Sequence, residues 1–331
     1  MTNLWQDLNH DRIFKSVEET LGAKLSNLCL KRNSYINRVY ELEKLALPAS
    51  GGTSRERVIV KFYRPGRWLK EMILEEHQFL RELHAKEIPV IPPLAFNEKT
   101  LFSLNNIHYA VFPKKGGRAL DEFDQAGFEE LGRLLARIHL VSETHKTSGR
   151  ILWKPSVATK HHLEVLKKTE WVLPDFRKTL QVTIERFIEK SEALFNGHPM
   201  ILLHGDCHKG NLIHRPGEGI FIVDFDDLCV GPAIQDLWML LPGSPADCEN
   251  ELNWLLKGYE TFRSFDRSSI RFAPALRGMR IIHFVAWLAI QSKDPDFSNH
   301  FPEAGTPRYW NEVIKDLQEM VYDKREINYP L

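Results

Sequence analysis

A chain of 331 residues is long enough for two lobes and a sizeable core, and 43% hydrophobic with 27% charged residues is the composition of a folded protein without biased tracts. Forty-four basic residues balance forty-four acidic ones, which excludes a global field for nucleic acid or an anionic membrane surface. The start, MTNLWQDLNHD, lacks the basic and apolar runs of a signal peptide, and four scattered cysteines make no disulfide framework, so a cytoplasmic protein is expected.

The first third reads as strand-rich. LCLKRNSYINRVYEL (28–42) holds two extended pieces around a polar turn, and the breaker PASGGTSR (48–55) leads to the β-branched run RVIVKFY (57–63). From 67 to 84 the period changes, and Leu69, Met72, Ile73, Leu80 and Leu83 fall on one helical face. PVIPP stops that helix, and NIHYAVFP (106–113) predicts another strand. After KKGGR (114–118) most segments are helical, beginning with the amphipathic stretch 128–143. The exception is 200–227, where NLI and GIFIVDF flank the turn HRPGEG and predict a hairpin. IIHFVAWLAI (281–290) is too short to span a bilayer and reads as a buried helix. The fold class expected is α+β: a β-rich lobe over 1–113, a hinge at about 110–117, and a larger, mainly helical lobe over 114–331. No coiled coil is apparent, and a monomer is expected.

The chemistry concentrates in HGDCHKGN (204–211). Asp206 and Asn211 have the order and spacing of the catalytic-loop pattern H-R-D-x-x-x-x-N, and across the expected hairpin Asp224 ends an apolar strand in VDFDD. In phosphoryl transfer one carboxylate, here Asp206, receives or orients the acceptor's proton. An amide oxygen and a second carboxylate, here Asn211 and Asp224, suit Mg²⁺, a hard cation that offsets charge on the ATP phosphates. Upstream, VIVK (58–61) resembles the V-A-I-K strand whose lysine reaches those phosphates, which makes Lys61 a candidate. Such a lysine needs an anion, and the 67–84 helix offers Glu75 and Glu76. Glu76 lies in the middle of the apolar stripe, where a carboxylate demands a partner, so the pair expected is Lys61–Glu76. With no Walker A or G-x-G-x-x-G pattern, the turn NSYIN (33–37), with Ser34, is the candidate phosphate cover. Adenine is expected against the hinge strand carrying Phe112.

His204, Cys207 and His208 raise the question of zinc, but no second Cys/His pair with ligand spacing follows, and adjacent Cys207 and His208 are poorly placed for proton transfer. His204 is expected to prop the loop from beneath, and Cys207 to fill space. Asp236, ahead of an apolar helical stretch, is either a helix cap or the acceptor of backbone N–H groups from the catalytic loop. Arg277, Arg280 and Trp287 either line an acceptor cleft or serve packing and surface charge.

These stretches, with VKFYRPGRW, ILEEHQFL, GPAIQDLWMLL and RGMRIIHFVAW, resemble the aminoglycoside phosphotransferase and choline kinase branch of the protein-kinase-like superfamily over nearly the full length. The resemblance, closest to its stress-response members, implies a two-lobed kinase fold, ATP with Mg²⁺, and phosphorylation of serine or threonine in a protein substrate. It implies Asp206 as proton acceptor, Asn211 and Asp224 as magnesium ligands and Ser34 as an ATP contact. Gly205 stands where H-R-D has arginine, Asp226 where D-F-G has glycine, and no A-P-E segment follows. Most members of that branch phosphorylate small alcohols, so an amino alcohol, sugar or aminoglycoside acceptor is the alternative, and a non-catalytic nucleotide-binding scaffold the third reading.

Overall fold

The computed structural model describes residue 5 and residues 8–46, 54–120, 122–147 and 149–322. Most of the breaker at 48–55 therefore lies outside the described residues. By its contacts the chain divides into two compact units, Met1–Glu122 with His145–Gly149 and Lys209–Asp226, and Phe123–Thr144 with Arg150–His208 and Asp227–Leu331.

The first unit opens with a helix ahead of the first element read from the sequence: α1, His10–Leu21. Asn9 caps it by accepting from Arg12 N at 3.0 Å, Gly22 closes it in the left-handed conformation, and Ile13, Val17 and Leu21 recur every fourth residue on its buried face. The sheet follows: β1 (Leu25–Arg32), β2 (Arg38–Ala46) and β3 (Ser54–Phe62), then, after α2 (Lys70–Ala85), β4 (Phe102–Leu104) and β5 (Ile107–Pro113). Its order is β1-β2-β3-β5-β4, with every neighbouring pair antiparallel. Strand alternation sends Val58, Val60, Phe62, Tyr109 and Val111 into one core with α1. It leaves Ile59, Lys61, Ala110 and Phe112 on the opposite face, with Lys61 paired to Ala110 and Ile59 to Phe112.

In the second unit α3 (Gln125–Ser142) is followed by α4 (Lys160–Lys167), α5 (Pro174–Glu192) and the short strand β6 (Ile201–Leu203). The expected hairpin forms as β7 (Leu212–Arg215) and β8 (Gly219–Ile222), with Leu212 opposite Ile222 and Arg215 opposite Gly219. It groups with the first unit because Ile222 N donates to Pro89 O at 3.2 Å and Arg118 exchanges backbone bonds with His214 at 2.9 and 3.0 Å. The chain then makes β9 (Cys229–Gly231), which pairs with β6, and α6 (Ile234–Trp238), α7 (Glu249–Tyr259), α8 (Ala273–Gln291), α9 (Phe297–His300) and α10 (Pro307–Tyr322). Arg267–Gln291, a 3₁₀ turn running into α8, is long and apolar enough by composition to cross a membrane, but 56% of its apolar 18-residue window is buried in the protein. Ile282, Val285 and Leu288 are core, whereas Phe284 and Ile290 are exposed.

Helices α3 and α7 approach backbone to backbone. A Cβ on Gly132 would stand 2.0 Å from Leu255 O, and one on Gly258 would stand 2.0 Å from Glu129 O. Neither obstacle is a side chain that could swing away, so one added methyl has to separate the helices. Gly132→Ala should destabilise the protein by about 1–3 kcal/mol, as overpacked cores do. Urea unfolding checks this as a lower midpoint at unchanged slope.

Candidate active site

In the first unit the site is built around Lys61 near the end of β3. Its ammonium donates to Asp224 Oδ1 at 2.8 Å and to Asp226 Oδ1. Burial works against the charge, but Asp224, then Asp226 and Glu76, hold the lysine pKa well above its ordinary value. The helical phase of α2 is as the sequence suggests. Glu76 is buried, while Glu75 turns to accept from Thr147 and lies 3.9 Å from His145. The sequence matches Lys61 with Glu76; the structure gives the lysine Asp224 and Asp226 as hydrogen-bond partners, with Glu76 acting on it through its charge.

Asp226 is the residue that sequence reasoning passes over. It takes the place of a glycine in D-F-G, yet it is buried and accepts from Asn37 Nδ2 at 2.7 Å as well as from Lys61. Asn37 itself closes the turn between β1 and β2, with Oδ1 accepting from Arg64 N at 3.1 Å. Ser34 lies in that same turn, half-buried. Phe112 packs on Tyr63, Ile73 and Ala110 and stands edge-on to His77 at 6.3 Å. At the root of the hairpin Val223 N donates to Asn211 O at 2.9 Å, which sets Asn211 across from the strand that delivers Asp224. Asp224 is half-exposed and takes φ +65°, a left-handed conformation uncommon outside glycine. Among the described residues no group of three or more His, Cys, Asp or Glu side chains converges.

In the second unit Asp206 is held on both sides. Arg280 of α8 donates to Oδ1, and His208 Nε2 lies 3.4 Å from Oδ2. Burial favours the neutral acid, but hydrogen bonding from His208 and the Arg280 guanidinium outweigh it and hold the carboxyl well below the usual range. Asp206 is a carboxylate at any physiological pH.

The loop beneath it hangs on Asp236. Both Asp236 oxygens accept backbone bonds, Oδ2 from His204 N at 2.8 Å and Oδ1 from Gly205 N at 3.0 Å. Asp236 lies inside α6 rather than at its cap, so of its two sequence readings the loop anchor holds. A carboxylate that accepts on both oxygens also accepts from His139 Nε2, 3.2 Å away, leaving Nδ1 to accept from the Tyr259 hydroxyl at 2.8 Å. Arg263 completes the series by donating to that hydroxyl at 2.7 Å. His204 is fully buried, and its Nδ1 accepts from Asp206 N at 3.3 Å. Cys207 is fully buried, and burial raises its thiol well above the ordinary value, so it packs rather than attacks. The glycine in place of the H-R-D arginine also has a cause. Gly205 takes φ +82°, and a Cβ there would stand 2.1 Å from Asp227 O.

With this geometry in view, residues 31–273 match the model of the phosphotransferase enzyme family. The chain belongs to that family. Stress response kinase A of Escherichia coli K12 is 35% identical over 311 residues, covering 92% of this chain and 90% of that one. The protein named serine/threonine protein kinase RdoA in Salmonella typhimurium is 37% identical over 312 residues with the same coverage. Among solved structures, amicoumacin kinase hAmiN in complex with AMP-PNP, Ca²⁺ and Ami superposes at TM-score 0.73 with 18% identity, covering 95% of this chain and 94% of that one. A microcompartment-associated aminopropanol kinase does so at 0.65 with 17% identity, covering 92% and 94%. These two neighbours share the α+β kinase-like fold. Family and relatives together make the protein an ATP-dependent kinase.

Two outcomes test the anchoring. Asp236→Asn replaces an acceptor by an N–H facing a backbone N–H; it should cost about 1–3 kcal/mol, the range for one buried unsatisfied donor, in urea unfolding. Arg280→Met should raise the Asp206 pKa, followed by carboxyl ¹³C NMR. Because the folded value is depressed, ionised Asp206 stabilises the wild type above the unfolded value of about 4, and this is lost as pH falls through the folded value. The stability gap between wild type and variant should therefore narrow on acidification.

Proposed function

We propose that the protein is a cytoplasmic, monomeric serine/threonine protein kinase of the stress-response type, using ATP with Mg²⁺. The observation that carries the chemistry is Asp206, a carboxylate fixed by Arg280 on a loop whose amides are tied to Asp236. So acidic a group is a weak base. It orients the acceptor hydroxyl and receives its proton as the new O–P bond forms, which is what a loose phosphoryl-transfer transition state asks of it. Lys61 places the ATP phosphates, with Asp226 and Glu76 keeping it charged, while Ser34 and the β1–β2 turn cover them and Phe112 flanks the adenine. The hinge at 110–117 joins the lobes.

The amide of Asn211 and the carboxylate of Asp224 form a hard-oxygen donor pair that suits Mg²⁺. The cation would supply charge compensation on the phosphates. Four free cysteines support a reducing compartment.

The protein acceptor is supported by the relatives named as stress response and serine/threonine kinases over 90% of their length. A small alcohol is the second reading, suggested by neighbours named for amicoumacin and aminopropanol. A polycationic acceptor is disfavoured, because the Asp206 carboxylate it would approach is already paired with Arg280.

Incubation with γ-labelled ATP, Mg²⁺ and cytoplasmic extract tests the assignment. Label should enter acid-precipitable protein, and Asp206→Asn should lower kcat by about 10²–10⁴-fold with ATP binding retained. Lys61→Met should act chiefly on the KM for ATP. Label passing only into soluble small molecules moves the assignment to the second reading; transfer unaffected by Asp206→Asn sinks both.

A further inference from the structure

A groove of about 480 Å³ runs along the β4 edge of the sheet, where α1 and the first residue of α2 meet it. That is the size of a small-molecule site. Its floor is Phe96, Leu101, Phe102 and Tyr109, and its walls carry Lys70, Lys99 and His108 against a single carboxylate, Glu19. Neither lysine has an ion-pair partner among the described residues, and both are exposed. The floor is braced: the Tyr109 hydroxyl donates to Ser16 O at 3.1 Å and lies 2.9 and 2.7 Å from the hydroxyls of Ser16 and Thr20. His108 uses Nδ1 on Ser103 Oγ at 2.8 Å, leaving Nε2 as the nitrogen it can offer a ligand. Tyr109 is buried, so partly exposed Phe96, Leu101 and Phe102 give the apolar surface beside two unpaired ammonium groups, which suits an anion with a small apolar body.

A hydrogen-bonded series runs from beside this wall to a ring that faces Lys61. Thr100 stands between the lining residues Lys99 and Leu101, and its Oγ1 is 2.9 Å from His77 Nδ1. His77 Nε2 is 2.9 Å from the Tyr63 hydroxyl, and the Lys61 ammonium is 5.3 Å from the centre of the Tyr63 ring. Burial, with Lys61 second, lowers the His77 pKa to about 3, so the ring is neutral and has one donor and one acceptor nitrogen. Such a ring can run the series in either direction, one for each tautomer. Lys70, in the groove, and His77 share α2 with Glu76.

We propose that this groove is a second ligand site, for a small phosphate monoester with an apolar group, and that its occupancy is transmitted through Thr100, His77 and Tyr63 to Lys61 and so to the nucleotide. Binding is independent of the function proposed above; only the transmission rests on Lys61 contacting ATP. The probe is phenyl phosphate, titrated calorimetrically into the full chain without nucleotide. Saturable binding is expected, weakened at least about tenfold by Lys70→Met with Lys99→Met. In kinase assays the same concentrations should shift the KM for ATP, and Thr100→Val should keep the binding and lose that shift.

Four results would overturn the proposal: no saturable binding, binding unchanged by the double lysine variant, full displacement of phenyl phosphate by ATP, or inorganic phosphate binding as tightly as the ester. A KM shift that survives Thr100→Val refutes the relay. If labelled phosphate never leaves ATP, the kinase assignment fails while the calorimetric result still decides the site.

Discussion

One ammonium holds the buried charge cluster of the first unit together. Lys61 answers Asp224 and Asp226 directly and Glu76 through the field, and each lies on a different element: the end of the hairpin, the turn after it, and α2. A charge taken out of water costs several kcal/mol unless partners with good geometry surround it. The positions of β3, α2 and the hairpin in the first unit are therefore fixed mutually. Asn37 extends the dependence to the β1–β2 turn by sharing Asp226, so the turn proposed to cover the phosphates is tied to the lysine proposed to place them.

In the second unit a carboxylate plays the converse role. Asp236 satisfies two loop amides and ends a series from Arg263 through Tyr259 and His139. The loop can then present Asp206 without backbone bonds from a strand at that point. The glycine that makes this possible excludes the arginine found in ordinary protein kinases, since a Cβ would strike Asp227 O. The departure from H-R-D is a requirement of the turn, not a missing part.

What the sequence made legible follows from how local the signal was. The hairpin was readable because its turn residues and alternation lie within one short stretch, and it carries Asn211 and Asp224 with it. Glu76 was readable because helical phase is arithmetic. Asp226 was not, because its meaning depends on Asn37 and Lys61, far away in the chain and brought near by the sheet. Asp236 was ambiguous because a carboxylate ahead of an apolar run suits a cap and an anchor equally; only the placement of the loop amides decides. The signal for α1 was present: a capping asparagine, apolar residues every fourth position and a closing glycine.

The contact of Gly132 with α7 reaches further than packing. Two helices whose backbones touch have no compressible layer of side chains between them, so a displacement of one is handed to the other undiminished. His139 rides on α3 and Tyr259 on α7, and their hydrogen bond spans that incompressible joint. The support under the Asp206 loop is therefore stiff at that joint, and a shift of α7 would be felt at His139.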